Sequence, residues 1–363
     1  RKAMNGDPDP DADTDADGLD AAYRLHEREH SSHERLRSAF EWRVPRRFNA
    51  AASTAGRWAG TDRLALVAVD EEGRDRRYTF GELDRAAGRL ANVLAADGLE
   101  RGDRIAVSGR QHPRVAIAHL AAWKRGAVTV PVSPTLGTEG LGYRIRDTGA
   151  TAAVLGEPLL GTLSGLDRAP GSLDSVYAID GASEFDAARP LDARLEGVSA
   201  ATRPVDTAAT DPASVFYTSG STGDPKGVVL PHRTLLGLLP SYLTLKCDLE
   251  LAGTDRFWTT SEWSWIALHT TVFTSWFYGA PVVAFDRGAF DAAAALELID
   301  AYGVTSLSAP QAALRRLRDA DRDPAGDVRV VFSGGSLLRE STVEWARRAF
   351  GPVSVHVSYG LTE

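Results

Sequence analysis

The run Tyr217-Thr218-Ser219-Gly220-Ser221-Thr222-Gly223-Asp224-Pro225-Lys226-Gly227 constrains this chain more than any other stretch. It gathers glycines and hydroxyls around one lysine. Apolar residues frame it, Val215-Phe216-Tyr217 before and Val228-Val229-Leu230 after. Such a segment predicts a turn between two buried strands. Glycines let the backbone enter φ > 0 and bring its N–H groups onto phosphate oxygens. The hydroxyls of Ser219, Ser221 and Thr222 can donate further bonds, and Lys226 adds a point charge. A Walker loop does not fit, because Pro225 stands at its second glycine and Gly227 follows the lysine. A nucleophile elbow fails where Ser219 replaces its first glycine. A Ser/Gly linker would lack the apolar frame.

At 363 residues the chain is expected to form two large α/β subdomains rather than one small core. No apolar run reaches the ~18 residues of a membrane span. A net charge of −8 disfavours nonspecific nucleic-acid binding. The only cysteine, Cys247, fits a reducing cytoplasm, and the polar, acidic start carries no secretory signal. Lysine occurs only at Lys2, Lys124, Lys226 and Lys246, so a lysine inside the glycine turn stands out.

Residues 1–45 read as an acidic disordered tail followed by a polar helix. Two decoys lie there. Asp13-Thr14-Asp15-Ala16-Asp17-Gly18 opens like a calcium loop but meets Arg24 where a glutamate is needed. His26-Glu27-Arg28-Glu29-His30 fits a zincin pattern, yet charged neighbours on every side argue for a solvated helix instead. From Arg63 onward, strands and helices alternate, which predicts parallel sheet covered on both faces. A loose polar stretch, 188–212, suggests a boundary between a first α/β subdomain over 46–200 and a second over 201–363.

Three segments resemble the adenylate-forming superfamily of acyl-CoA synthetases, luciferases and peptide-synthetase adenylation domains, in that family's order. Thr218–Gly227 resembles its phosphate loop. Ser333-Gly334-Gly335-Ser336-Leu337-Leu338 is similar to the glycine turn beside adenine and acyl group. Ser358-Tyr359-Gly360-Leu361-Thr362-Glu363 resembles its Tyr-Gly-x-Thr-Glu signature. The resemblance covers roughly Tyr78 to Glu363 and implies the large N-terminal domain of that fold, without its C-terminal lid.

The resemblance further implies an ATP site built by Thr218–Lys226, Gly334–Ser336 and Ser358–Thr362. Thr362 would bond the α-phosphate, Glu363 would hold Mg²⁺, and Tyr359 would stack near adenine. On its own Glu363 reads as a solvated terminal residue and Tyr359 as a core aromatic. The implied reaction joins a carboxylic acid to ATP as an acyl-adenylate, and CoA then displaces AMP. Ser261-Glu262-Trp263-Ser264-Trp265 resembles the acyl-pocket segment of acetyl- and medium-chain acyl-CoA synthetases, so Trp265, Gly335 and Gly360 are expected to line the acid's tail. Acetate-specific relatives carry tryptophan where this chain has Gly360, which implies a longer acid. His232 and His269 are expected to be packed or capping histidines.

The sequence stops on the last letter of a motif, so the chain reads as an incomplete copy of a longer enzyme, impaired when alone. A noncatalytic nucleotide binder, an adenylation domain for another carboxylate and, more distantly, a zinc peptidase remain alternatives.

Overall fold

In the computed structural model the described residues are 16–28, 32–166, 172–181, 185–218, 223–320, 322, 324 and 326–362. Fourteen strands run β1 Leu64–Val69, β2 Asp75–Thr79, β3 Arg104–Ser108, β4 Val128–Pro131, β5 Ala152–Leu155, β6 Ser175–Ala178, β7 Ala188–Pro190, β8 Pro212–Thr218, β9 Lys226–Pro231, β10 Phe257–Thr259, β11 Val282–Phe285, β12 Ser306–Ser308, β13 Val330–Gly334 and β14 Ser354–Ser358. They form two seven-stranded sheets, β14-β13-β12-β10-β11-β1-β2 and β7-β6-β5-β3-β4-β8-β9. Neighbours pair in parallel except at one end of each sheet, where β1–β2 and β8–β9 are antiparallel hairpins.

Side chains alternate across these strands, and the alternation sorts them into layers. In β3, Ile105 and Val107 face one core and Ala106 another; in β11, Val282 and Ala284 oppose Val283. The shared middle core takes inner faces from both sheets plus the helices Phe80–Ala96, Pro113–Arg125 and Thr234–Lys246. Helices Ala292–Tyr302, Gln311–Arg318 and Glu340–Ala349 cover the outer face of the first sheet. Helices Thr138–Thr148 and Glu157–Ser164 cover the second. The result is five alternating layers.

Local sequence sets the helix ends. Thr79 and Glu82 close a reciprocal capping box on the Phe80–Ala96 helix. His112 caps Pro113–Arg125, Pro113 fills its first turn, and Gly126 ends it at φ 69°. Among the described residues no helix is long and apolar enough to cross a membrane.

Several expectations change. The boundary near residue 200 is not where the sheets divide. β1 and β2 join the sheet of β10–β14, while β8 and β9 close the sheet of β3–β7. Pairing of β1 with β11 bridges more than 200 residues, which no local pattern encodes. The 188–212 stretch is not a slack connector either. Asn92 Nδ2 donates to Ser199 O at 2.8 Å and Asn49 Nδ2 to Val205 O at 3.3 Å, so the segment straps the middle helices.

The N-terminal region is also less polar in space than in sequence. Residues 1–15 and 29–31 lie outside the described residues, and with them the first half of the calcium-like run and His30. Ala16–Tyr23 is helical, and Leu25–Glu27 makes a single 3₁₀ turn rather than the zincin helix. Tyr23 and Leu25 are buried, because Leu19, Tyr23 and Leu25 share one apolar edge that the surrounding charges mask. A polar helix with no buried residue does form, over His33–Ala39. Between β10 and β11 the chain forms a π-helical turn, Leu268–Phe273, continued by α-helix Thr274–Phe277.

Gly88 gives a direct test of the strap. A Cβ there would lie 2.2 Å from the Ala200 carbonyl oxygen. Gly88→Ala is expected to cost ~1–3 kcal/mol, the usual range for overpacking, despite alanine's higher helix propensity. Urea unfolding checks it; an unchanged or raised midpoint means the strap is loose.

Candidate active site

The two sheets meet at the carboxyl ends of their parallel strands. Gln111, three residues past β3 and 6 % exposed, makes the joint. Its Nε2 donates to Thr259 O at 2.6 Å and Ser261 O at 2.9 Å. Its Oε1 accepts from Trp258 Nε1 at 3.2 Å and from the Phe285 amide at 2.9 Å. Arg110 pairs with Glu71 and, at 3.1 Å, with Asp286 just past β11. Burial pushes the Asp286 carboxyl up to about 6, with Arg110 opposing the shift. Ser133, past β4, donates to Glu262 Oε2 at 3.1 Å, past β10. Above these contacts a cavity of about 400 Å³ opens, lined by Arg110, Gln111, Thr260, Glu262 and Arg287 among others. Ligands of open α/β sheets bind in such crevices outside the carboxyl ends of strands.

These contacts set β11 against β3 and β10 against β4. Proceeding outward from that joint, β12–β13–β14 in one sheet lies on the same flank as β8–β9 in the other. The Thr234–Lys246 helix, which follows β9, confirms the alignment. Ser306 of β12 donates to Lys246 O at 2.8 Å, and Asp248 holds Ser354 and His356 of β14.

Thr218 and Lys226 form the last rung of the β8–β9 hairpin. Ser219, Gly220, Ser221 and Thr222 lie outside the described residues. Gly223 has φ 95°. The base of the turn is braced by a helix the sequence reading missed, Thr138–Thr148. Its Tyr143 hydroxyl donates to Pro225 O at 3.0 Å, and Tyr217 donates to Asp147 at 2.6 Å. Lys226 is exposed and makes no ion pair among the described residues.

On the opposite sheet Gly334 and Ser358 are paired at the ends of β13 and β14. The glycine turn and the signature segment are therefore neighbours. Gly335 has φ 82°, and a Cβ at Gly335 or Gly360 would meet nothing within 4 Å. Leu337, Tyr359 and Leu361 are strongly exposed, and the buried Ser333 hydroxyl has no partner among the described residues. Tyr359 is thus no core aromatic. Thr362 is half-buried, and Glu363 lies outside the described residues. The hairpin residues and these segments share a flank of the cleft. Trp265 is 57 % exposed, whereas Trp263 is fully buried with its indole N–H unpartnered.

The sequence matches the AMP-binding enzyme family over residues 53–363. The chain belongs to that family. It is 27 % identical over 331 residues to the human mitochondrial acyl-coenzyme A synthetase ACSM4, covering 88 % of this chain and 56 % of that protein. It is 27 % identical to the acetyl-coenzyme A synthetase of Penicillium chrysogenum, covering 89 % and 52 %. Among solved structures, a Brucella canis acyl-CoA synthetase superposes at TM-score 0.78 with 26 % identity, covering 99 % of this chain and 62 % of that one. The N-terminal domain of FACL13 from Mycobacterium tuberculosis gives 0.76 with 25 % identity, covering 87 % and 76 %. The chain spans little more than half the length of the curated relatives it matches.

In this family member the joint residues Arg110, Gln111 and Asp286 escaped sequence reading, and Glu262 was read only as part of the 261–265 segment. Their position just past predicted strands was the available signal. Truncating Gln111 strands two buried donors, Trp258 Nε1 and the Phe285 amide. Gln111→Leu is expected to destabilise by ~3 kcal/mol or more, at ~1–3 kcal/mol per stranded buried group. Urea unfolding measures it; a loss under half that value would mean that the sheets hold together without the amide.

Three histidines lie under β8. His232 Nδ1 accepts from the Ala50 amide at 3.2 Å, and His269 Nε2 meets Ser214 Oγ at 3.3 Å, so both are packed residues. His119 is fully buried against Trp123, Phe273 and His269, with neither ring nitrogen partnered among the described residues. Burial pulls His232 down to about 4 and His269 to about 3, and holds His119 well below its usual value. Among the described residues no group of three His, Cys, Asp or Glu is placed to hold a metal.

Depressed folded values mean that the unfolded chain binds more protons. Stability supported by these groups is complete above about pH 6.5 and is lost as pH falls toward their folded values, at up to ~1.4 kcal/mol per pH unit per group. His119→Leu is expected to keep or raise the melting temperature at pH 7 and to flatten its decline from pH 6.5 to 4.5. An unchanged slope in scanning calorimetry would mean that His119 does not stay neutral.

Proposed function

We propose that this chain carries the ATP and acid site of an AMP-forming acid–thiol ligase, an acyl-CoA synthetase. The acid's carboxylate oxygen attacks the α-phosphorus of ATP. The bond to pyrophosphate breaks, leaving an acyl-adenylate. The thiol of CoA then attacks the acyl carbon and AMP departs. The observation that carries this reading is the placement of the Lys226 hairpin and the Gly334/Ser358 rung on one flank of the crevice. The named relatives that match along most of the chain support it.

The first step brings two anions together, so the site must orient them and offset their charge. Lys226, free of protein carboxylates among the described residues, is suited to the triphosphate. The Thr218 hydroxyl and the amides of the turn add donors, and Tyr359 offers an exposed ring for adenine. The Thr362 hydroxyl would bond the α-phosphate, and Glu363 would supply an oxygen donor of the kind a hard cation such as Mg²⁺ takes, with Mg²⁺ offsetting phosphate charge there. Open space at Gly335 and Gly360 favours an acid longer than acetate, with Trp265 bordering its tail. The buried thiol of Cys247 supports a reducing compartment such as the cytoplasm.

Titration calorimetry tests the nucleotide site. Lys226→Ala is expected to weaken MgATP binding at least ~10-fold, since a charge-assisted bond contributes ~1.5–3 kcal/mol. Equal affinity would remove the phosphate-loop assignment. Acid-dependent pyrophosphate exchange tests the chemistry, with butyrate to octanoate expected to exceed acetate; an acetate preference would refute the open pocket. MgATP binding without exchange for any acid would instead favour a noncatalytic nucleotide binder.

A further inference from the structure

Lys246 ends the Thr234–Lys246 helix in the middle layer and is 3 % exposed. Its ammonium donates to the hydroxyls of Thr270, at 3.3 Å, and Thr271. It sits 4.7 Å from the centroid of the Phe332 ring. No carboxylate pairs with it among the described residues. The other buried lysine does have one, and so do two half-buried arginines. Lys124, equally buried, meets Asp84 at 2.7 Å; Arg57 pairs with Asp20, and Arg329 with Asp255. Burying an ammonium without a counter-charge is costly, and desolvation pulls Lys246 down to about 7, against a smaller opposing influence of the neighbouring Cys247. A methionine or leucine would fill this place at less cost.

The surroundings indicate where a counter-charge could come from. Thr270 lies on the π-helical turn that follows the 261–265 segment, and π-turns cluster at functional sites. Phe332 lies on β13, which runs directly into Gly334 and Gly335. Thr270 and Phe332 are both partly open, while Lys246 and Thr271 are buried, so the ammonium sits one layer beneath the surface. Gly335 is three residues beyond Phe332, about 10 Å along an extended strand.

We propose that Lys246 supplies the counter-charge for a second carboxylate at the far end of the acid substrate. The preferred acid is then a dicarboxylate of medium length, with one carboxylate at the glycine turn and the other at Lys246, rather than a plain fatty acid. This inference rests on the acid-binding reading above and narrows it to a substrate class.

Equilibrium binding to the 363-residue chain, read by protection against thermal unfolding, tests it. Each α,ω-dicarboxylate from succinate to suberate is compared with the monocarboxylate of equal carbon number. At least one diacid is expected to bind ten-fold or more tightly than its monoacid counterpart. Lys246→Met is expected to bring that ratio close to one, and Lys246→Arg to retain part of it. A wild-type ratio near one, no binding of any diacid, or an undiminished ratio in Lys246→Met overturns the proposal. If Lys246→Met does not fold, the wild-type ratio and Lys246→Arg decide. MgATP titration of the wild-type chain reports separately on the nucleotide site. A chain that binds MgATP and monoacids but shows no diacid preference keeps the ligase reading and loses this one.

Discussion

One side-chain amide fixes how the two sheets face each other. Gln111 uses both N–H donors and both lone pairs of its oxygen, all on groups just at or past the ends of β10 and β11. An amide can make at most four such bonds, so rotation or sliding of either sheet breaks several at once. The joint is buried, so broken bonds would not be replaced by water. Arg110 and the Ser133–Glu262 contact flank it and repeat the same alignment of strands. Register across the cleft is therefore set by polar geometry, and the helices between the sheets add cohesion and polar contacts of their own.

That division of labour places the turns. With β10 held over β4, the hairpin end at Lys226 and the rung at Gly334 and Ser358 fall on the same flank although they belong to different sheets. Neither segment needs to bond the other. Exposed Leu337, Tyr359 and Leu361 are tolerable at such a position only as surfaces that something else covers. The glycines there leave volume that no protein side chain fills.

Strand and helix identities were legible because hydrophobic periodicity is local. The alternation of strands and helices expected from Arg63 onward is present in the fold. Sheet membership was not, because β1 pairs with β11 across a gap that no window of sequence spans. The glycine-rich turns announced themselves by composition, whereas Gln111 is an ordinary residue type whose importance lies in four distant partners. Tyr23 and Leu25 were hidden for the opposite reason, as apolar residues whose charged neighbours point outward.

The middle layer is where sequence reasoning and structure disagree most informatively. A layer between two sheets should be the driest part of the molecule, and largely it is. Yet among the described residues it holds His119 with two idle nitrogens and Lys246 with no opposing charge. The two differ in kind. His119 is ringed by aromatic side chains and can stay neutral at neutral pH, so its cost is confined to lost hydrogen bonds. Lys246 sits beneath partly open Thr270 and Phe332, beside the strand that ends in the glycine turn. A neutral imidazole in a sealed core has nothing to wait for. An ammonium just under the wall of a cleft does, because any anion that reaches it removes the desolvation penalty the fold otherwise carries.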